Sequence, residues 1–269
     1  MRKFLIIFMF LGLVFPVQVW AQGLQNQGNI VIDTVRFEQE IQDLTIEYKS
    51  GLEVYEEKKN KLDFAKAQYE QLQTLASLEE AVDVGREFFV ARDEVLLSYA
   101  KLLRLKLYTS FGIFLKTKQD KIAAMDDLIS RLEKHNQNSK KIESKDDIIN
   151  QTSEFSLVGL RLQAESARIV PLFSLGKLQS TFDKTALLID KVDAHIEESN
   201  FSAAKKAEKE RGMQQIRREE EDIKLILKEL NGPIILDKRG GVVKSKYDSN
   251  TVYSGISKLL SYLGEIAAD

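Results

Sequence analysis

Cysteine is absent from this chain of 269 residues, which removes the most reactive side-chain nucleophile and the softest metal ligand. The sequence also lacks the Gly-x-Ser-x-Gly pattern of serine hydrolases and the His-Glu-x-x-His pattern of zinc proteases. The pair Gly240-Gly241 lacks the rest of a phosphate-binding loop and the helix that should follow it. We therefore predict a protein that is not an enzyme and has no cofactor.

Two histidines remain as candidate acid–base or metal-binding groups. His195 lies among Asp190, Asp193 and Glu197, which share one face of a predicted helix. Such carboxylates could hold a hard cation, but a closed oxygen cage needs more ligands than one helix directs to a point. A solvated acidic face is the favoured interpretation, and no metal is predicted. His135 lies where helical periodicity fades, and we expect it to be exposed.

Basic residues near the C-terminal end form the one candidate partner contact. They outnumber the local acids and are Lys238, Arg239, Lys244 and Lys246. The aliphatic residues 234–236 and 242–243 flank this glycine-containing turn, which predicts a short β-hairpin. The overall formal charge is −2, which does not favour nucleic acid as a partner. We predict an acidic protein partner for these four residues.

The first 21 residues have the composition of a secretory signal peptide. Arg2 and Lys3 precede the apolar run 4–15, and Ala21 ends a segment with small or apolar residues at the cleavage positions. This predicts cleavage after Ala21 and a location outside the cytoplasm: secreted, periplasmic or associated with the cell envelope. An uncleaved anchor is the alternative, because residues 4–20 just reach the lower length for crossing a bilayer.

A heptad-like seam organises the predicted fold. From Phe37 to Ala76, mostly apolar or aromatic residues recur in alternating steps of four and three, with Tyr48, Tyr55 and Leu62 among them. Only a long helix that packs on other helices needs this spacing. With only 3 prolines and 30% charged residues, the composition is that of a helical bundle. We predict an all-α, elongated, antiparallel bundle of three or four long coiled-coil-like helices with a small C-terminal appendage.

Local signals divide the chain into segments. Residues 22–32 are a predicted flexible lead-in, 33–231 the bundle, and 232–269 the appendage. Ser77-Leu78-Glu79-Glu80 reads as a capping box that opens a second, central helix. That helical pattern continues through Ile113 and Phe114 with Gly112 as a weak point, and 134–146 is a predicted turn.

The later boundaries are marked by turn and capping residues. Ser144 opens the next predicted helix, and Pro171 should kink or break it. Residues 199–202 form a predicted turn before a charged helix over about 203–230, which Asn231-Gly232-Pro233 ends. Ser249 or Asn250 should cap a closing amphipathic helix, which we expect to dock on the bundle rather than on a partner or a membrane.

These features predict a scaffold or protein-binding module that acts through helical surfaces, with self-association as one form of binding. An extracytoplasmic chaperone or adaptor that clamps clients between helical rods is the alternative. A clamp should expose a large apolar groove, whereas a scaffold should associate through its seams. Membrane contact is expected only through the closing helix or an uncleaved N-terminal segment, because the charge without Arg2 and Lys3 is −4.

Overall fold

The computed structural model describes residues 28–231 and 249–268, and this part of the chain is all-α. Its six helices are α1 (Gly28–Leu72), α2 (Leu75–Thr109), α3 (Leu115–Ser139), α4 (Lys145–Glu198), α5 (Ala203–Leu230) and α6 (Ser249–Ala268). Helices α1–α5 lie in the predicted bundle, where the sequence predicts three or four helices, and α6 is the predicted closing helix. The predicted signal peptide, the hairpin around 234–243 and the basic residues Lys238, Arg239, Lys244 and Lys246 lie outside the described residues.

The helices form two compact units. Unit 1 contains residues 28–105 and Leu128–Gln163, and unit 2 contains Lys106–Asp127, 164–231 and 249–268. Helices α2, α3 and α4 each contribute residues to both units. Within the described residues, no helix has both the length and the apolar composition needed to cross a bilayer.

In unit 1, α1 packs along α2 in the antiparallel direction. The rings of Tyr48 and Tyr99 lie 5.7 Å apart, and those of Tyr55 and Phe88 lie 5.4 Å apart. Every predicted seam position from 37 to 69 is buried or half-buried, so the seam is the packing surface of α1. Burial raises the pKa of Tyr48 to about 12, because its ionised form would lose hydration in this interface.

Helix α2 is the central element of unit 1. Its buried residues lie on nearly all sides of the helix, as the wide apolar stripe predicts. Three neighbours account for this: α1 through Tyr48, α3 through Asn136, and α4 through Ile148, which fills the space beside Gly85. Val82, Phe89 and Ile142 form a separate small apolar core in this unit.

The predicted cap of α2 is wrong by one turn. The helix begins at Leu75, and Thr74 is the residue that caps it. The amide of Ser77 donates to Thr74 Oγ1 at 3.2 Å, and the amide of Thr74 donates to Ser77 Oγ at 3.2 Å. Ser77 therefore takes the third helical position of a capping box, where a short hydroxyl replaces the usual Glu.

Helix α2 ends at Thr109, so the helical pattern does not continue through Ile113 and Phe114 as expected. Gly112 is the reason, because its φ of +73° lies in the left-handed region that side chains disfavour. The loop 110–114 also packs tightly on α4. A Cβ on Gly112 would lie 1.9 Å from the carbonyl oxygen of Gly176, and a Cβ on Gly176 would lie 2.5 Å from that of Phe111.

Two further boundary predictions need correction. Helix α3 continues to Ser139 inside the predicted turn 134–146, because its polar residues there are buried against partners and need no apolar periodicity. Helix α4 continues through Pro171, so the predicted break does not occur. The proline removes one backbone hydrogen bond, but Ile169 and Leu172 on either side are buried and hold the helix in place.

Unit 2 is built around an apolar core that α4, α5 and α6 share. Its buried residues include Phe182 and Ile189 of α4, Ile216 and Ile223 of α5, and Ile256 of α6. Ser202 caps α5, and Lys209 of α5 donates to the carbonyl of Ile266 at 2.6 Å, near the end of α6. The expected docking of the closing helix is confirmed, because its apolar face lies in this core.

Replacement of Gly112 by Ala tests the loop geometry. The left-handed backbone alone should cost about 1–2 kcal/mol with a Cβ, and the contact with Gly176 should add to that cost. Gly264→Ala is the matched control, because this α6 glycine has open space around it, and Ala should stabilise the helix by about 0.5–1 kcal/mol. Urea unfolding measures both changes. A Gly112→Ala protein as stable as the parent would contradict this account of the loop.

Candidate functional site: a buried aspartate, histidine and serine cluster

Asp93 of α2 is a fully buried carboxylate at the centre of a polar cluster in unit 1. Its Oδ2 lies 2.7 Å from His135 Nδ1 and accepts a hydrogen bond from Ser139 Oγ at 2.8 Å. Its Oδ1 accepts from Arg92 Nη2 at 3.1 Å and Nε at 3.3 Å. These four residues are called the Asp93 cluster below. A buried carboxylate needs this number of donors, because burial removes its hydration.

Helix geometry brings the members of the Asp93 cluster together. His135 and Ser139 are four residues apart on α3, so they lie on one face of that helix. This face meets α2 at Asp93, and Ser139 Oγ also lies 3.3 Å from His135 Nδ1. Gln151 of α4 completes the site through its carbonyl oxygen, 3.1 Å from His135 Nε2. Three helices therefore meet at one imidazole ring.

Both ring nitrogens of His135 face groups that accept hydrogen bonds. Nδ1 faces the carboxylate of Asp93, and Nε2 faces a backbone carbonyl, which cannot donate. Both contacts are hydrogen bonds only when both nitrogens carry protons. Hydrogen bonds from both nitrogens would hold the ring between α2 and α4.

Arg92 supplies a cation to the Asp93 cluster. Its guanidinium lies over the ring of Phe155 at 3.3 Å from the centroid and also contacts Phe89 at 4.5 Å. Burial lowers the pKa of Arg92 to about 10, although Asp93 acts in the opposite direction. The aromatic faces and the carboxylate replace the hydration that this partly buried cation loses.

The residue types match a nucleophilic triad, but their arrangement does not. In a serine hydrolase the carboxylate holds Nδ1 while the serine hydroxyl faces Nε2, which removes its proton. Here Ser139 lies on the Nδ1 side and donates to the carboxylate, while Nε2 faces the carbonyl of Gln151. Ser139 is fully buried, so a substrate cannot approach its hydroxyl. The Asp93 cluster is arranged to join helices.

His135 is the residue that sequence reasoning misplaces most. The prediction that it is exposed is wrong, because it is buried and bound on both ring nitrogens. The available signal was Asp93, an acid within the apolar stripe of α2 between Phe89 and Val95. An acid on a buried face requires buried donors, and a histidine four residues before a serine can supply two of them.

The predicted acidic face on α4 is occupied by an arginine. Arg217 of α5 donates to Asp190 Oδ1 at 2.7 Å, to Asp193 Oδ2 at 3.1 Å and to Glu220 Oε2 at 3.0 Å. Partial burial alone would lower the pKa of Arg217, but these three carboxylates outweigh it and raise that pKa above its ordinary value. The face is therefore an ion-pair contact between α4 and α5. Glu197 is not among these partners.

His195 lies beside a cavity of about 170 Å³ in unit 2. Lys209 also lines this cavity, but its ammonium is already bound to the carbonyl of Ile266. Within residues 28–231 and 249–268, no group of three or more His, Asp or Glu side chains is placed to hold a metal ion.

Removal of the Asp93 carboxylate should destabilise the protein strongly. Asp93→Ala leaves His135 and Arg92 without their common partner, and loss of one member of a buried ion pair typically costs about 3–5 kcal/mol. Glu94→Ala is the matched control, because the next residue of α2 is exposed, and the change should be within about 0.5 kcal/mol. Chemical denaturation of both variants measures the difference. Equal stabilities would show that the Asp93 cluster does not hold the helices together.

Comparison with known proteins leaves function to be inferred from the chain's own geometry. No protein-family model, curated protein or solved structure matches the chain.

Proposed function

We propose that the chain is a non-enzymatic scaffold or binding module that holds a protein partner through an exposed helical surface. The supporting observation is an uncharged strip on the first part of α4, in unit 1. This α4 strip consists of Ile149, Ser153, Ser156, Leu157 and Leu160, all of them exposed. Leu157 is 73% exposed and Leu160 is 57% exposed, which is unusual for two leucines so close on one helix.

The spacing of the α4 strip suits a second helix. Ile149, Ser153, Ser156 and Leu160 follow one another in steps of four, three and four. These are the steps by which one helix presents a continuous seam to another. The same spacing on α1 forms the surface that packs on α2. We therefore propose a helix of a partner protein as the occupant, whether from another protein or from a second copy of the chain.

The serine hydroxyls do not make the α4 strip polar. Ser153 Oγ donates to the carbonyl of Ile149 at 3.0 Å, and Ser156 Oγ donates to that of Ser153 at 2.7 Å. Because each hydroxyl proton is used within the helix, a partner can cover the strip without leaving a donor unsatisfied. The small residues Ser153 and Ser156, which lie between Ile149 and Leu160, also allow a neighbouring helix to approach closely.

The clamp alternative has less support in unit 1. A groove of about 300 Å³ there is lined by Lys58, Arg86, Glu87 and other residues of mixed type. Lys58 and Glu87 form an ion pair of 2.7 Å across it. A chaperone that holds unfolded clients needs a broad apolar surface, whereas this groove is charged.

The remaining parts of the proposal come from the sequence. We propose that the protein acts outside the cytoplasm, as the N-terminal segment predicts. An acidic protein partner would contact Lys238, Arg239, Lys244 and Lys246.

Site-specific photo-crosslinking tests the α4 strip. A photoreactive amino acid replaces Leu157 in the full chain, expressed in its own host, and Leu225 of α5 is the control position because it is an exposed leucine of similar accessibility at 62%. Illumination should give a discrete protein adduct from position 157 and none from position 225. Addition of Leu160→Glu should remove the adduct, because it places a charge in the seam.

The adduct mass identifies the partner as another protein or a second copy of the chain, and either result supports the binding module. No adduct, or the same adducts from positions 157 and 225, would overturn the proposal.

A further inference from the structure

The tip between α2 and α3, in unit 2, exposes large apolar side chains within eight residues. This α2–α3 tip carries Tyr108, Phe111, Phe114 and Leu115. Phe111 is 82% exposed and Leu115 is 69% exposed, so neither is covered by unit 2. Single exposed hydrophobic residues are normal, but four within eight residues at one turn are not.

The tip is held in place by its own unit. The carbonyl oxygen of Phe111 lies against Gly176 of α4, and the left-handed Gly112 reverses the chain there. Lys118 Nζ donates to the carbonyl of Ser110 at 2.8 Å, and the amide of Ser110 donates to the carbonyl of Leu107 at 3.3 Å. The exposure of Phe111 is therefore a property of a fixed turn, and part of its backbone is already hydrogen-bonded.

Cations outnumber acids at the tip. From Lys106 to Asp120 the sequence has three lysines, Lys106, Lys116 and Lys118, and a single acid, Asp120. The part of α4 that packs on the loop is also free of acids from Ser166 to Phe182. The nearest acid of α4 before this stretch, Glu165, is paired with Lys121 at 2.8 Å and with Arg168. The formal charge of the chain is −2, yet the sequence around this turn has more cations than acids.

We propose that the α2–α3 tip docks on an anionic phospholipid surface, with Phe111 and Leu115 entering the interface and the lysines contacting the headgroups. Aromatic and aliphatic side chains prefer the boundary between headgroups and acyl chains. Lysines near that boundary are attracted to anionic lipid over about one Debye length. The apolar side chains of the tip therefore suit the acyl-chain boundary of a bilayer surface, and its lysines suit the headgroups.

The shape of the tip favours lipid over a protein as the occupant. The exposed apolar residues lie at a turn between two helices, whereas a protein partner would have to supply a deep apolar pocket ringed by acids. A fluid lipid surface needs no matched pocket, because it accepts any apolar projection with a cationic rim. Since α6 buries its apolar face in unit 2, this contact differs from the expected route through the closing helix.

Tryptophan placed at the tip reports the contact directly. The full chain carries Trp20→Phe, which removes its only tryptophan, together with Phe111→Trp. The control chain carries Trp20→Phe and Phe64→Trp, because Phe64 of α1 is exposed to a similar extent, 70%. Each chain is mixed with vesicles of phosphatidylcholine alone, or with vesicles of phosphatidylcholine and phosphatidylglycerol. Both kinds of vesicle are prepared with and without brominated acyl chains. Because each chain has a single tryptophan, the N-terminal segment contributes no tryptophan emission of its own.

The anionic vesicles should shift the emission of the Phe111→Trp chain to the blue, and the brominated lipid should quench it at least twofold more than that of the Phe64→Trp control. Added Lys116→Gln, which removes an exposed charge without touching the bond from Lys118 to Ser110, should weaken this quenching, as should higher salt. Unchanged emission from the Phe111→Trp chain would overturn the proposal, as would equal quenching of the two chains. Equal quenching in neutral and anionic vesicles would overturn the role of the lysines.

Discussion

The buried carboxylate of Asp93 imposes the strictest requirement in unit 1. A charge without hydration must be met by donors at fixed positions, and these come from α2 and α3, while α4 fixes the histidine ring. A slip of α3 by one helical turn would move His135 by about 5.4 Å and leave the carboxylate unpaired. Apolar side chains alone tolerate such slips more readily, because dispersion contacts have no direction. The Asp93 cluster therefore selects one alignment of three helices.

Unit 2 achieves alignment through close packing instead. Ile223 of α5 lies where a side chain on Gly255 would be, and Ile266 of α6 does the same at Gly212. The ion pairs of Arg217 join α4 to α5 at the surface of this unit. Surface ion pairs contribute little stability by themselves, so the shared apolar core is the main source of order here.

The sequence predicts those elements whose signals are local. The α1 seam follows from spacing alone, and the bounds of α5 follow from Ser202 before it and Asn231 after it. The α2–α3 turn is different, because Gly112 marks a weak point but does not show which way Phe111 faces. That exposure depends on Gly176, 64 residues further along the chain from Gly112, and no local pattern contains such a pairing.

The Asp93 cluster is not predictable from local sequence patterns for a related reason. Asp93 and His135 are far apart in sequence, and although Asp93 lies within an apolar stripe, His135 stands in a polar stretch that suits an exposed helix end. Only the packing of α3 on α2 turns the two into a buried pair. The exposure of the α4 strip and of the α2–α3 tip is likewise not predictable from the sequence. Exposed and buried leucines have the same sequence pattern until the neighbours of a helix are known.

Nitrogen-15 NMR of the His135 ring in the folded chain tests the central claim most directly. An Asp93 cluster that joins three helices through this ring requires an Nδ1 proton in a hydrogen bond to Asp93 and an Nε2 proton in a hydrogen bond to the carbonyl of Gln151. Two protonated nitrogen resonances, assigned with a His135→Gln variant, would agree with this account. A single protonated nitrogen, with the other free to accept a proton as in a general base, would contradict it.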